Sequence, residues 1–113
     1  MDIIDRLKKA RQSKITAGSF EFTIRRLTDM EAMTMQYTST KEAVVGVMGF
    51  VIDWHGVTEG DVIPGQPGDA VPFNSDLFQE WVQDRPDLWE PLIDGVLSAY
   101  TSHREAQDKA GKP

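Results

Sequence analysis

The chain has 113 residues, no cysteine and a formal charge of −6. This length suits one domain with a modest core, and the lack of cysteine excludes disulfides and thiolate sites. The negative charge argues against binding duplex nucleic acid, and the longest apolar run, residues 44–52, is too short to cross a bilayer.

The N-terminal segment, residues 2–12, predicts a short helix. Ile3, Ile4 and Leu7 share one side, and several lysines and arginines give the segment a basic character. Acidic residues precede the basic ones, unlike the order in a signal peptide. We assign residues 1–13 to an N-terminal arm, which either docks loosely on its own domain or docks on a partner.

Residues 14–26 predict a β-hairpin. Phe20, Phe22 and Ile24 alternate with polar residues, which is the pattern of a half-buried strand. We expect residues 14–17 to pair with residues 20–26. A lone hairpin is marginal in water, so this one must pack on the helices or pair its open edge with another chain.

A helix is predicted over residues 29–37, because Thr28 and Glu31 have the spacing of a capping box. Met30, Met33 and Tyr37 share one of its faces. Methionine suits both irregular cores and adaptable binding grooves, so both interpretations are open.

Residues 41–54 are predicted to form the next helix, although their valines and glycines would equally suit a buried strand. Residues 55–71 follow as a loop rich in glycine and proline. The loop lacks the spacing of a phosphate-binding or a calcium-binding loop, and its length indicates either mobility or a functional role.

Two further helices are predicted over residues 71–100. The first begins after Asn74 or Ser75 and ends near residues 84–85, before Pro86. A short turn over residues 87–89 then leads to a long helix from about Pro91. Gly95 within that helix either permits a neighbour to approach closely or is a surface glycine without consequence.

These elements predict an α+β fold that is mostly α, with about four helices and a short N-terminal hairpin. We expect one globular domain over residues 14–108 and a flexible tail over residues 109–113.

No constellation of residues points to catalysis. The two histidines, His55 and His103, lie far apart in the chain, and no spacing of serines or carboxylates indicates a nucleophile or a metal site. We therefore expect no catalytic residue, cofactor or metal.

Large rings and methionines are the stronger signal, because there are many of them for so small a core. For each of them, packing in the core competes with binding a partner. The candidate partner-binding residues are Met30, Met33, Tyr37, Trp54, Phe73, Phe78, Trp81 and Trp89.

The order of motifs resembles the small tail assembly chaperones of tailed phages and prophages. The resemblance lies in VIDWHGV at residues 51–57, an acidic loop, PF followed by FQEWV, and DRPDLWEPLIDGVLSAY at residues 84–100. It extends over roughly residues 20–103 and includes the strand at residues 22–26 with the Thr–Asp helix start after it.

The resemblance implies a non-enzymatic protein of the bacterial host cytoplasm that is absent from the mature virion. Such proteins bind and solubilise the tape measure protein while the tail assembles, and many are also made in a longer, frameshifted form. It implies tape measure and other tail proteins as partners, with a possible homo-oligomer. A structural tail or head–tail connector component and a small acidic regulatory protein remain alternatives.

Overall fold

A three-stranded antiparallel sheet and six helices make up the part of the chain that the computed structural model describes, residues 2–35 and 40–111. The strands, which lie in sequential order, are β1 (Gln12–Ala17), β2 (Phe20–Arg25) and β3 (Val51–His55). The helices are α1 (Ile3–Ala10), α2 (Asp29–Thr34), α3 (Thr40–Met48), α4 (Glu59–Val62), α5 (Ser75–Val82) and α6 (Pro86–Gly111). The fold is therefore α+β with more helix than strand, and its described part has six helices where about four were predicted.

The predicted hairpin is confirmed as β1 and β2, with Ala17 opposite Phe20. Gly18 in its two-residue turn has a φ of 63°, which suits the first central position of a type II′ turn. Phe20, Phe22 and Ile24 are buried and their neighbours along β2 are half-buried. The alternation of the sequence therefore identified the inner face of the sheet.

Residues 41–54 are not one helix, and that prediction is wrong. α3 ends at Met48, and β3 begins three residues later and pairs with β2. The Phe50 N–H donates to the Val47 carbonyl (3.0 Å), and the Phe50 carbonyl accepts from the Arg25 N–H (2.8 Å). The local pattern suits helix and strand alike, so the need of β2 for a hydrogen-bonded neighbour decides the outcome.

α6 begins at Pro86 rather than near Pro91, and residues 87–89 form its first turn instead of a separate one. Pro86 takes the first helical position, where its missing N–H has no partner to lose. Pro91 lies further inside the same helix. The preference of proline for the first helical position therefore holds at Pro86 and not at Pro91.

The start of α2 confirms the predicted capping box. The Glu31 N–H donates to Thr28 Oγ1 (3.1 Å), and the Thr28 N–H donates to Glu31 Oε1 (2.9 Å). Tyr37 lies outside the described residues, as do residues 112–113 of the predicted tail.

The core lies between the inner face of the sheet and the helices α3, α5 and α6. Phe22 packs against Phe78 of α5 with ring centroids 5.8 Å apart, and Phe20 packs edge-on against Trp81 at 5.4 Å. Leu92 of α6 is fully buried against them in the same cluster. Three separate segments of the chain therefore share one apolar cluster.

The segment predicted as a loop, residues 55–71, is folded back on itself. Thr58 and Asp61 form a capping box for the short α4, and Thr58 forms a β-bridge with Ala70. The Val71 N–H donates to the Val57 carbonyl (3.0 Å). The segment is an ordered cover over one end of the core.

Candidate functional site

Three of the candidate partner-binding residues, Trp54, Phe78 and Trp81, are buried in the core. Their rings pack edge-on against one another, with Trp54 5.6 Å from Trp81 and 6.3 Å from Phe78. Half-buried Phe73 contacts Trp54 at 5.2 Å. In the folded chain these rings hold the sheet, α5 and the 55–71 segment together.

The indole N–H groups fix the 55–71 segment at two points. Trp54 Nε1 donates to the Val71 carbonyl (2.7 Å), and Trp81 Nε1 donates to the Asp61 carbonyl (3.1 Å). A buried indole needs such an acceptor, because an unpaired N–H in the core is unfavourable. The two tryptophans are therefore structural anchors of the segment.

An open apolar groove lies between α3, α5 and α6, and it encloses about 640 Å³. We call it the α3 groove. Its lining consists of Lys41, Val44, Val45, Met48, Gln79, Val82, Gln83 and Trp89. Among the predicted partner-binding residues that the structure describes, Trp89 is the only one that lines this groove. A second cavity of about 380 Å³, lined by Pro86, Trp89, Glu90 and Ile93, shares Trp89 and extends the surface along α6.

Val45 and Trp89 define the character of the α3 groove. Val45 is 65% exposed, although it is a large apolar residue. The Trp89 ring is half-buried, and its Nε1 donates to the Val82 carbonyl (2.7 Å), so the ring keeps one fixed orientation. The contribution of α3 to the groove was not predicted from the sequence, although residues 44–48 contain more apolar side chains than one buried helix face requires.

The segment that contributes α5 and the start of α6 to the groove is acidic. Residues 75–94 carry six of them: Asp76, Glu80, Asp84, Asp87, Glu90 and Asp94. The single cation in that range, Arg85, donates to both oxygens of Asp87 (3.0 and 2.8 Å). These hydrogen bonds lower the pKa of Asp87 and raise the pKa of Arg85. The described lining of the groove is apolar apart from Lys41, Gln79 and Gln83, and we call the acidic segment that borders it, residues 75–94, the acidic rim.

The methionines of α2 form a separate exposed surface. Met30 and Met33 are 77% and 82% exposed, so they do not fill the core. α2 is held by a bidentate ion pair between Arg25 and Glu31 (2.7 and 3.0 Å), which lowers the pKa of Glu31 to about 2. Asp29 accepts from the Tyr100 hydroxyl (3.0 Å) and so ties the helix to α6. The methionines are presented to solvent from a firmly fixed helix.

The two histidines do not come together. His55 is exposed at the end of β3. His103 is on α6, and its Nε2 lies 3.5 Å from Asp29 Oδ1. Across residues 2–35 and 40–111, no three His, Cys, Asp or Glu side chains are grouped so as to hold a metal ion. No helix in that part of the chain has the length and apolar character needed to span a membrane.

No protein-family model, curated protein or solved structure matches the chain.

Proposed function

We propose that this chain is a non-catalytic tail assembly chaperone of a tailed phage or prophage. In this role it binds amphipathic helices of the tape measure protein in the cytoplasm of the bacterial host and keeps that protein soluble until the tail is built. The α3 groove is the observation that carries the proposal. The resemblance over residues 20–103 supplies the identity of the client.

The groove has the shape and chemistry that a client helix requires. An amphipathic helix places apolar side chains at spacings of three and four residues, and a row of these fits an apolar channel between helices. Val44, Val45 and Met48 follow the same spacing on α3 and would contact such a row. Fixed Trp89 provides a flat wall, which lowers the entropy lost on binding.

Affinity at one groove is expected to be modest. Burial of one leucine-sized side chain contributes about 1.5–3 kcal/mol, and association itself opposes binding by several kcal/mol. A long client with many helical repeats would engage many copies at once, so the assembly gains through effective concentration. The acidic rim would favour clients with basic flanks and would keep the complex soluble.

The test is co-expression of the chain with its tape measure protein. We expect the soluble fraction of the tape measure protein to rise several-fold, and Val45→Asp to abolish the gain because it places a charged side chain among the apolar side chains that would contact the client. Ile63→Asp is the matched control, since Ile63 is 57% exposed and lies outside the groove. An unchanged soluble fraction with the native chain would refute the chaperone function.

The exposed edge of the sheet favours one alternative, a permanent structural component of the virion. β1 is an outer strand, and Gln12, Ser13, Lys14 and Thr16 are exposed on it. Outer strands can pair with other chains, although a lysine on the edge discourages this. Mass spectrometry of purified particles separates the two functions: the chaperone is absent from the particles, whereas the structural component is present.

A further inference from the structure

The N-terminal helix α1 has an apolar stripe with no packing partner among residues 2–35 and 40–111. Ile3, Ile4 and Leu7 are 70%, 60% and 49% exposed, and no residue of α1 is buried. At about 100° per residue these three side chains fall within roughly one third of the helix circumference, the spacing of a helix that binds in a groove. Asp2 caps α1 by accepting from the Asp5 N–H (2.8 Å), so the helix is formed even though it is not packed.

In this structure the stripe does not occupy the α3 groove of its own chain, because its three side chains are exposed and none of them lines that groove. Ala10 and Arg11 lie beside Ser102 and His103 of α6, with which they line one cavity. Trp89 lies 13 residues earlier on the same helix, or about 20 Å away at 1.5 Å per residue. α1 has 8 residues and is therefore about 12 Å long. The Arg26 N–H donates to the Arg11 carbonyl (2.9 Å) and so fixes the residue that joins α1 to β1.

The charges of α1 and of the groove rim are opposite. Residues 2–11 carry four basic and two acidic side chains, whereas residues 75–94 carry six carboxylates and one arginine already paired with Asp87. Arg6 and Lys8 flank the apolar stripe of α1 on its two sides. A helix that places this stripe in the groove would bring these cations toward the acidic segment 75–94, which supplies Gln79, Val82, Gln83 and Trp89 to the lining.

We propose that α1 of one copy docks in the α3 groove of a second copy of this chain. Ile3, Ile4 and Leu7 contact Val44, Val45 and the Trp89 ring, and the basic flanks face the acidic rim. The contact is small, so a single docked helix binds weakly. Reciprocal docking of both helices in a two-fold pair doubles the buried surface. The inference uses the two surfaces alone and does not require the proposed function.

Disulfide trapping tests the proposal directly, because the native chain has no cysteine. Leu7→Cys and Val45→Cys variants, one of them isotope-labelled, are mixed and mildly oxidised, and the mixed disulfide is measured by intact mass. The control pair is Leu7→Cys with Met33→Cys. Met33 is 82% exposed against 65% for Val45, so random collision would favour the control.

We expect the Leu7–Val45 product to exceed the Leu7–Met33 product by about tenfold, which corresponds to roughly 1.4 kcal/mol. We also expect the excess to shrink as salt is raised, because the charge contacts are exposed. Equal yields of the two products would overturn the proposal. Binding of the chain to anionic phospholipid vesicles through Leu7, without the Leu7–Val45 product, would overturn it in favour of a lipid surface.

Sedimentation equilibrium of untagged protein provides an independent measurement. The native chain and Met33→Gln should associate as concentration rises, and Leu7→Gln and Val45→Gln should each shift the association to higher concentration. All three substituted side chains are exposed, so folding is not at stake. Identical behaviour of the native chain and Leu7→Gln would contradict the proposal. No tape measure protein is present in either experiment, so this inference and the proposed function can fail separately.

Discussion

Gly95 of α6 lies directly against Ile15 of β1. A Cβ atom placed on Gly95 would come within 2.7 Å of Ile15 Cδ1 and 2.8 Å of Ile15 Cγ2. Of the two readings that the sequence left open, close approach of a neighbour is therefore confirmed. This contact sets the distance between the helix and the outer strand of the sheet.

The first prediction concerns this contact. Gly95→Ala should lower the free energy of unfolding by about 1–2 kcal/mol, because overpacking outweighs the roughly 1 kcal/mol that alanine gains in helix propensity. In an Ile15→Ala background the same substitution should cost much less stability, since both atoms closer than 3 Å are gone and only the Cβ of residue 15, at 3.3 Å, remains. Urea denaturation of the four proteins measures this double-mutant cycle. A destabilisation that persists in full in the Ile15→Ala background would show that Ile15 is not the obstacle.

The second prediction concerns the dependence of stability on pH. Glu31 has its pKa lowered from 4.5 to about 2, chiefly by hydrogen bonds from Arg25. Because the pKa is lower in the folded chain, the stabilisation is complete above about pH 4.5 and is lost as the pH falls toward 2. Both side chains are about one third exposed, so solvent screening reduces the effect to about 1 kcal/mol.

Glu31→Gln should therefore lower stability by that amount at pH 7 and should weaken the loss of stability between pH 4.5 and 2. Urea midpoints measured across this range test the prediction. Glu21→Gln is the control, because Glu21 forms only a 3.5 Å contact with a lysine that is 70% exposed. An equal loss of stability from the two substitutions at pH 7 would show that the ion pair of Glu31 contributes no more than the exposed contact of Glu21.

The third prediction concerns the 55–71 segment. Trp81→Phe removes the hydrogen bond from Nε1 to the Asp61 carbonyl, and it should lower stability by about 1–2 kcal/mol. Amide hydrogen exchange should speed up at Gly60 and Ile63, whose N–H groups donate to the carbonyls of Pro67 (3.1 Å) and Glu59 (2.8 Å). Trp89→Phe loses its own bond to Val82 but should leave these amides protected. Equal exchange rates at Gly60 in the two variants would show that the Trp81 hydrogen bond does not hold the 55–71 segment in place.

The fourth prediction joins the two proposals and depends on both. If α1 of a second copy and a client helix use the same groove, they compete for it. Leu7→Gln should then increase the apparent affinity for a synthetic amphipathic client helix by about twofold or more at protein concentrations where copies associate. Fluorescence anisotropy of the labelled helix measures this. Unchanged affinity, together with a positive disulfide result, would place client and arm on separate surfaces.

Local signals allowed the best predictions from the sequence. The alternation of Phe20, Phe22 and Ile24 identified the hairpin, and the spacing of Thr28 and Glu31 identified the start of α2. Each of these signals depends on residues within a few positions of one another. Physical rules that act over short range can be applied without the rest of the fold.

Predictions that needed the tertiary environment succeeded less well. Whether residues 51–54 form strand or helix depends on pairing with β2, some 30 residues earlier in the chain. Likewise, a ring at helical spacing does not reveal what covers it. Trp81 is 6% exposed, whereas Trp89, eight residues later, lines the groove. α3 could be recognised as one wall of the groove only once the helices beside it were known.

The different surroundings of the three tryptophans have a practical consequence for spectroscopy. Trp54 and Trp81 are sealed in the core, whereas the Trp89 ring borders the groove. Acrylamide, which is uncharged, should quench mainly the emission of Trp89, and any helix seated in the groove should shield that emission and shift it to the blue. The native chain therefore carries an intrinsic optical reporter of groove occupancy that requires no attached dye.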